Sequence, residues 1–473
     1  MPIIKDRELL NEDRAVPGIL IQKCLEEHQM MINRYNLLDE YYNGKHKILG
    51  RAFNSEDIPN NRLVCNHAEY ITDMATGYFI GNPITYKDDD IKPILENFDV
   101  IDIHNIDTEL CRDISKFGVG YEMIYMSSDE IPIPKSVKLD PRNTVLVVDD
   151  TVEHKSLFGI HYYEKKDINN TLLGYYVNIY TRDKIYHYFT SSLSNTDMEL
   201  LSEEEHYFNG VPVIEYWNKS NLQGDYESVI TLIDAYNTLQ SDRINDKEQQ
   251  IDAILAVINA SFGDNESEMT ETERFLKEHK ILELPRDADA KWLLKQFVET
   301  EVEVLKKAIK DDIHEFSKVP CLTDENFASQ ASGVAMKYKL LGLEQLAKTK
   351  EGYYKIGLRE RLKLYANIFN TKGNSIDTSN TEIVFTRALP VNEVELSQMV
   401  VNLEDTVSLE TRLSLLPFVT DIESEVKKLE EEKQKKIEQQ QQAFGSYDFR
   451  TSKEGEEDDI SNSNGNSSNN KLN

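Results

Sequence analysis

The chain has 473 residues, with 84 acidic against 53 basic side chains and a formal net charge of −31. That length suggests about three domains at ~150 residues each, and the charge disfavours general affinity for nucleic acid or anionic membrane. Cys24, Cys65, Cys111 and Cys321 form no Cys-x-x-Cys pair, no stretch approaches 18 apolar residues and Met1–Leu10 has no apolar signal core, so free thiols and a soluble, intracellularly made protein are expected.

Residues 1–60 read as helical and peripheral, with Ile19, Ile21, Leu25, Met31, Ile32, Leu37 and Leu38 leading to Tyr41 and Tyr42. Asn66–Phe79 reads as a helix, the Gly81-Asn82-Pro83 turn leads to a strand at Ile84–Tyr86, and a further helix fits Ile101–Lys116. From Val119 to Trp217 the period changes. Short β-branched or aromatic runs at 119–125, 145–148, 158–163, 175–180, 185–189 and 211–216 are separated by turn-rich segments. Frequent strands without intervening helices imply a mainly antiparallel sheet, so the fold class is α+β and helix-rich.

Asp225–Ile258 returns to the helical period through Val229, Leu232, Tyr236, Leu239, Ile244, Ile251 and Leu255. A small insert follows, with an acidic loop at Gly263–Glu273 and strands at Ile281–Leu284 and near Trp292–Leu294. Thr300 with Glu303 predicts a capping box opening a helix striped by Val302, Leu305, Ile309, Ile313 and Phe316. A polar loop then joins this helix to the longest helix-compatible run, Ser332–Phe369.

That run is the organising element. Leu340, Leu343, Ala347, Tyr354, Leu358, Leu362, Tyr365 and Phe369 recur on one face, over roughly 55 Å if helical throughout. Lys337, Lys348, Lys350, Glu351, Lys355, Glu360 and Lys363 are read as its solvated side. Gly342, Gly352 and Gly357 each cost about 1 kcal/mol relative to Ala, so each predicts a kink or a close approach. Beyond Gly373 a strand is expected at Glu382–Thr386, then helices from Asn392 to about Leu403, over Ser408–Leu416 and after Thr420. From Gln439 the apolar period is lost and disorder is expected.

The chemistry of common enzymes is absent. There is no phosphate-binding Gly-x-x-x-x-Gly-Lys-[Ser/Thr] loop, no Gly-x-Ser-x-Gly and no His-Glu-x-x-His. Phe117-Gly118-Val119-Gly120 has Met123 where a dinucleotide fingerprint needs its third glycine, and reads as a turn before a strand. Cys65, His67 and Glu69 fit no usual zinc spacing. Asp88-Asp89-Asp90 and Asp149-Asp150 could serve Mg²⁺ in a nuclease, but each sits at a strand end and a turn, where Asp is common. Tyr338, Tyr353 and Tyr354 beside Lys337, Lys339 and Lys355 could stack single strands, although Tyr on a helical stripe is more often core.

Several local signatures carry a resemblance. They are Asn66-His-Ala-Glu-Tyr-Ile-Thr-Asp73 leading to Gly77-Tyr-Phe-Ile-Gly-Asn-Pro-Ile-Thr-Tyr86, and Leu232-Ile-Asp-Ala-Tyr236 with Ser241-Asp242 and Asn245-Asp246. Ser332-Gly-Val-Ala-Met-Lys-Tyr-Lys-Leu340 and Val407-Ser-Leu-Glu-Thr-Arg-Leu413 with Leu416-Pro-Phe-Val-Thr-Asp421 follow in order. Over roughly residues 61–432 the chain resembles portal proteins of long-tailed bacteriophages, in the subgroup common in phages of Gram-positive hosts.

The resemblance implies a portal-type fold, with wing, stem, clip and crown regions around a central channel. It implies an α/β wing over 1–224, stem helices at 225–258 and 300–316 and a clip at 259–299. A tunnel loop would span 317–331, a long wing helix and strand 332–390, a helical crown 391–438 and a disordered tail 439–473. The loop residues implied to face DNA are Ser317, Lys318, Thr323, Asp324, Glu325, Asn326, Ser329 and Gln330. The implied partners are copies of the chain in a usually dodecameric ring, double-stranded DNA, the terminase large subunit, a head-completion or adaptor protein, and scaffolding and major capsid proteins. The place is the capsid portal vertex, after assembly in host cytoplasm, with no membrane, cofactor or catalysis. An acidic helical scaffold is the alternative, and a metal-dependent nuclease a weaker one. An acidic chain suits a conduit, since each basic phosphate contact adds salt-dependent affinity that would brake sliding DNA.

Overall fold

The computed structural model describes residues 2–10, 15–53, 59–251, 254–259, 265–279, 286–293, 299–322, 338–388, 393–404, 406–416, 419 and 422–445. The chain divides into two compact units, Met1–Leu389 and Pro390–Asn473.

The first unit begins with β1 (Ile3–Lys5) and α1 (Gly18–Tyr42). Helix α1 is not peripheral as expected. Ile21, Cys24 and Leu25 are buried in one core cluster, and Tyr35, Leu38 and Tyr41 in the other. Next come α2 (His67–Ile80), β2 (Thr85–Lys87), α3 (Lys92–Val100) and α4 (Ile103–Phe117). Asn66 caps α2: its Oδ1 accepts from the Glu69 amide at 3.3 Å, and its Nδ2 donates to the Glu69 carboxylate at 2.9 Å. Helix α4 stops at Gly118, where φ is +83° and a Cβ would stand 2.0 Å from the Leu222 carbonyl oxygen. Only glycine fits that turn, which leads into a strand as its sequence predicts.

Eight strands follow: β3 (Val119–Met126), β4 (Pro134–Leu139), β5 (Thr144–Asp149), β6 (Ser156–Lys166), β7 (Leu172–Tyr180), β8 (Lys184–Thr190), β9 (Glu199–Glu205) and β10 (Val213–Trp217). They form a six-stranded sheet in the order β1-β5-β6-β7-β8-β9 and a three-stranded sheet in the order β10-β3-β4. Pairing in both is antiparallel except β1 with β5, where Ile3 lies beside Val147. Strand β9 escapes sequence reading because all seven of its residues are exposed, leaving no apolar alternation to see.

Four elements then alternate: α5 (Ile230–Ile251), β11 (Ile254–Ile258), α6 (Glu266–His279) and β12 (Asp289–Leu293). Two expectations fail here. The helix expected over 225–258 ends at Ile251, and the run Ile-Leu-Ala-Val-Ile at 254–258 pairs antiparallel with β12, as suits β-branched residues. The acidic segment expected as a loop is helix α6, capped by Asn265, whose Oδ1 accepts from the Glu268 amide at 3.1 Å. The expected strand at Ile281–Leu284 lies outside the described residues.

Helix α7 (Glu299–Ser317) is followed by α8 (Leu341–Thr371) and β13 (Glu382–Val384), which pairs with β2. Thr300 does not open a capping box, because Glu299 is already helical and Glu303 is bound to Arg243 and Lys306. Helix α8 is continuous from Leu341, Tyr338 and Lys339 are helical before a turn at Leu340, and residues 332–337 of the expected helix lie outside the described part. Lys350 is not on the solvated side. It is fully buried, as its spacing of three from Ala347 and four from Tyr354 requires. Gly357 is a close approach, since a Cβ there would stand 2.4 Å from the Tyr216 ring, whereas Gly352 has open space around it.

The second unit contains α9 (Glu393–Asn402), α10 (Leu409–Ser414) and α11 (Ile422–Gly445). Ser408 caps α10 through the Thr411 amide at 3.3 Å. Helix α11 runs past Gln439, where disorder was expected, because Gln and Ala are good helix formers even without an apolar stripe. Residues 446–473 lie outside the described part.

Candidate functional site

Helices α5 and α7 form an antiparallel hairpin. Arg243 near the end of α5 reaches Glu299 at 3.1 Å and Glu303 at 2.6 Å at the start of α7, and Lys247 reaches Glu299 at 2.9 Å. The glutamates are exposed to solvent, so these contacts are screened and add little to stability.

The opposite side of α5 is held by a polar ladder. Asn237, Ser241 and Asn245, four residues apart, are buried. Asn245 Oδ1 accepts from the Asn61 amide at 2.8 Å, Ser241 Oγ from the Leu63 amide at 2.9 Å and Asn237 Oδ1 from the Cys65 amide at 2.8 Å. Two extended residues advance about 6.6 Å and four helical residues about 6 Å, so alternate amides of 61–65 stay in step with every fourth side chain of α5. Arg51 adds an ion pair to Asp242 at 2.6 Å. The Ser241-Asp242 and Asn245 signatures are therefore parts of a clamp that seats α5 on the segment leading into α2.

Helix α7 hands over to the loop at Ser317. Lys318 is exposed with φ at +62°, and Val319 is fully buried. The His314 Nδ1–H donates to the Val319 carbonyl at 2.9 Å, while the Tyr70 hydroxyl of α2 donates to the Pro320 carbonyl at 3.1 Å and accepts from the Leu322 amide at 2.8 Å. At the far end, a Cβ on Gly342 of α8 would lie 3.4 Å from the Lys318 carbonyl oxygen. The segment between therefore leaves and returns at one place. Thr323, Asp324, Glu325, Asn326, Ser329 and Gln330 lie outside the described residues. Ser317 is buried and its hydroxyl donates to the His314 carbonyl at 3.3 Å.

Beside this foot is a cleft of about 220 Å³ lined by Cys65, His67, Tyr70, Lys310, His314 and Cys321. Burial, then the charges of His314 and Lys310, push the His67 imidazole down to about 4. Among the described residues no group of three His, Cys, Asp or Glu side chains is placed to hold a metal ion.

Helix α8 is fastened to α4, β3 and the segment before α5 by two buried ionic clusters. Lys350 Nζ lies 2.6 Å from Asp225, both within 1% of full burial, and Asn218 Nδ2 also donates to Asp225 at 2.8 Å. Three turns further on, Arg361 reaches Asp107 of α4 at 2.6 Å and Glu122 of β3 at 2.9 Å. Both clusters were unreadable in the sequence, because their partners come from segments more than a hundred residues away.

The aspartates considered for metal chemistry cap turns instead. Asp88 accepts from the Asp90 amide at 3.0 Å and from Thr381 Oγ1 at 2.7 Å; Asp149 Oδ1 accepts from the Lys155 amide at 2.9 Å and from Thr151 Oγ1 at 2.7 Å. Of the tyrosines considered for stacking, Tyr354 is core, Tyr353 lies 6.2 Å from Trp217, and Tyr338 is exposed. No helix among the described residues is long and apolar enough to cross a membrane.

A family model described as "Phage portal protein, SPP1 Gp6-like" matches residues 21–439. A portal protein of Bacillus phage SPP1 is 24% identical over 444 residues, covering 87% of this chain and 86% of that relative. A portal protein of Clostridium phage phiCD119 is 24% identical over 421 residues, covering 83% of this chain and 91% of the other. Among solved structures, a chain from the neck of an empty GTA particle computed with C6 symmetry superposes with a TM-score of 0.43 and 13% identity, over 74% of this chain and 90% of that one.

Proposed function

The chain belongs to the SPP1 Gp6-like family of phage portal proteins, and from that membership we propose that copies of it close into a dodecameric ring at one capsid vertex, through which double-stranded DNA enters during packaging and leaves during ejection. The protein is a virion component with a structural role. Its clip, around α6 and the β11–β12 pair, docks the terminase large subunit and later a head-completion protein. Scaffolding and major capsid proteins meet the ring during assembly in the host cytoplasm, and the chain itself catalyses nothing.

The observation that carries this reading is the family match over residues 21–439. The hairpin of α5 and α7, the segment closed at its foot by Tyr70 and Gly342, and α8 behind it support the assignment of 317–331 as a loop facing the channel. A head-to-tail contact repeated about an axis either closes into a ring or runs on as a filament. Light scattering and electron microscopy of the purified protein should therefore show closed rings with a central hole. A particle that stays at the 54.6 kDa of one chain, or that grows into open filaments, contradicts the proposal.

A further inference from the structure

Arg361 of α8 faces two carboxylates, Asp107 of α4 and Glu122 of β3, and none of the three side chains is more than 2% exposed. Glu122 Oε2 accepts from Arg361 Nε at 2.9 Å and from the Tyr216 hydroxyl of β10 at 2.6 Å. The Arg361 Nη1 lies 2.6 Å from Asp107 Oδ1. Glu122 Oε1 is left without a hydrogen-bond partner, and the Tyr86 hydroxyl of β2 is buried beside the guanidinium.

The other titratable groups around the cluster do not balance it. On α8, the Tyr354 hydroxyl donates to the Asp107 carbonyl at 3.2 Å and Tyr365 is bonded to Ser136 of β4 at 2.9 Å. His104 on α4 is a weak favourable influence on Asp107. With both carboxylates ionised, one guanidinium leaves a surplus negative charge where water does not reach, a costly arrangement. A metal cation is excluded by the guanidinium already between the two acids. The remaining relief is a proton.

We propose that the Arg361 cluster is a proton-binding site, in which the Asp107 carboxyl takes up one proton and so matches one cation to one anion at the point where α8 is fastened to α4 and β3. Burial, with Glu122 adding to it and Arg361 opposing, raises Asp107 to about 6. The ordinary value of 3.8 applies to the unfolded chain, so the folded state holds a proton that the unfolded state has lost between these limits. The stabilising contribution is full below 3.8 and disappears as pH rises through about 6. The seat of the helix that carries the loop is therefore firmer in mild acid. This inference concerns one subunit and stands whether or not rings form.

The test compares the full chain with Asp107→Asn, which is neutral at every pH. The folding equilibrium of the parent, divided by that of the variant, should fall about tenfold per pH unit between about pH 4 and 6 and level off above. The parent-minus-variant infrared spectrum at pH 5 should show the stretch of one protonated carboxyl, beyond the band that Asp113, also raised to about 6 by burial, gives in both proteins. Glu122→Gln removes the charge that favours protonation, and should move the same transition to lower pH. If parent and Asp107→Asn keep a constant ratio across pH, or the parent-minus-variant spectrum shows no carboxyl band, the site does not bind a proton.

Discussion

Replacing Arg361 by Met should destabilise the subunit by about 3–5 kcal/mol, read as a fall in the denaturant midpoint at constant slope. The cost comes less from the lost attraction than from what remains. Asp107 and Glu122 would stay buried, and the Tyr216 hydroxyl would be the one donor left on Glu122. Against a typical total of about 5–15 kcal/mol, that is a large share. Adding Asp107→Asn and Glu122→Gln to the same chain should recover most of the loss, since neutral amides have no charge to strand. If Arg361→Met costs no more than a surface substitution, roughly 0.5 kcal/mol, the cluster does not fasten α8.

Deleting Thr323–Ala328 should separate assembly from DNA transport. The fastening lies outside the deleted residues: Tyr70 holds 320–322, and Gly342 sits against Lys318. Shortening a closed loop changes its closure entropy only slowly with length, by about 0.6 kcal/mol per halving. The deleted chain should therefore fold and form rings with the parent's melting behaviour, while filled heads drop by orders of magnitude in a packaging assay. Parental packaging by deleted rings would remove the loop from the channel. Failure to form rings would assign it an assembly role instead.

Period was the legible part of this chain. Helices α1, α2, α4 and α8 and most strands of the large sheet declare themselves through spacing, because one face of each meets a core. Charge concealed what period disclosed. Lys350 and Arg361 sit on the buried face of α8 by spacing, but a charged residue is assigned to solvent unless its partner is visible, and Asp225, Asp107 and Glu122 are visible only in three dimensions. The small insert was least legible. The run at 254–258 suits helix and strand alike, and pairing with β12 decides between them. Asn237, Ser241 and Asn245 could have been found: their spacing of four matched to alternate amides is regular, although nothing in the sequence names 61–65 as the partner.

That DNA passes the loop is tested most directly by placing a photo-cross-linking residue at Ser329 and illuminating filled heads. DNA adducts at Ser329 should stand well above those from the same residue placed at Ile168, which is 98% exposed on the β6–β7 hairpin. Equal labelling at the two positions, or none at Ser329, would contradict a channel loop and with it the assignment of 317–331.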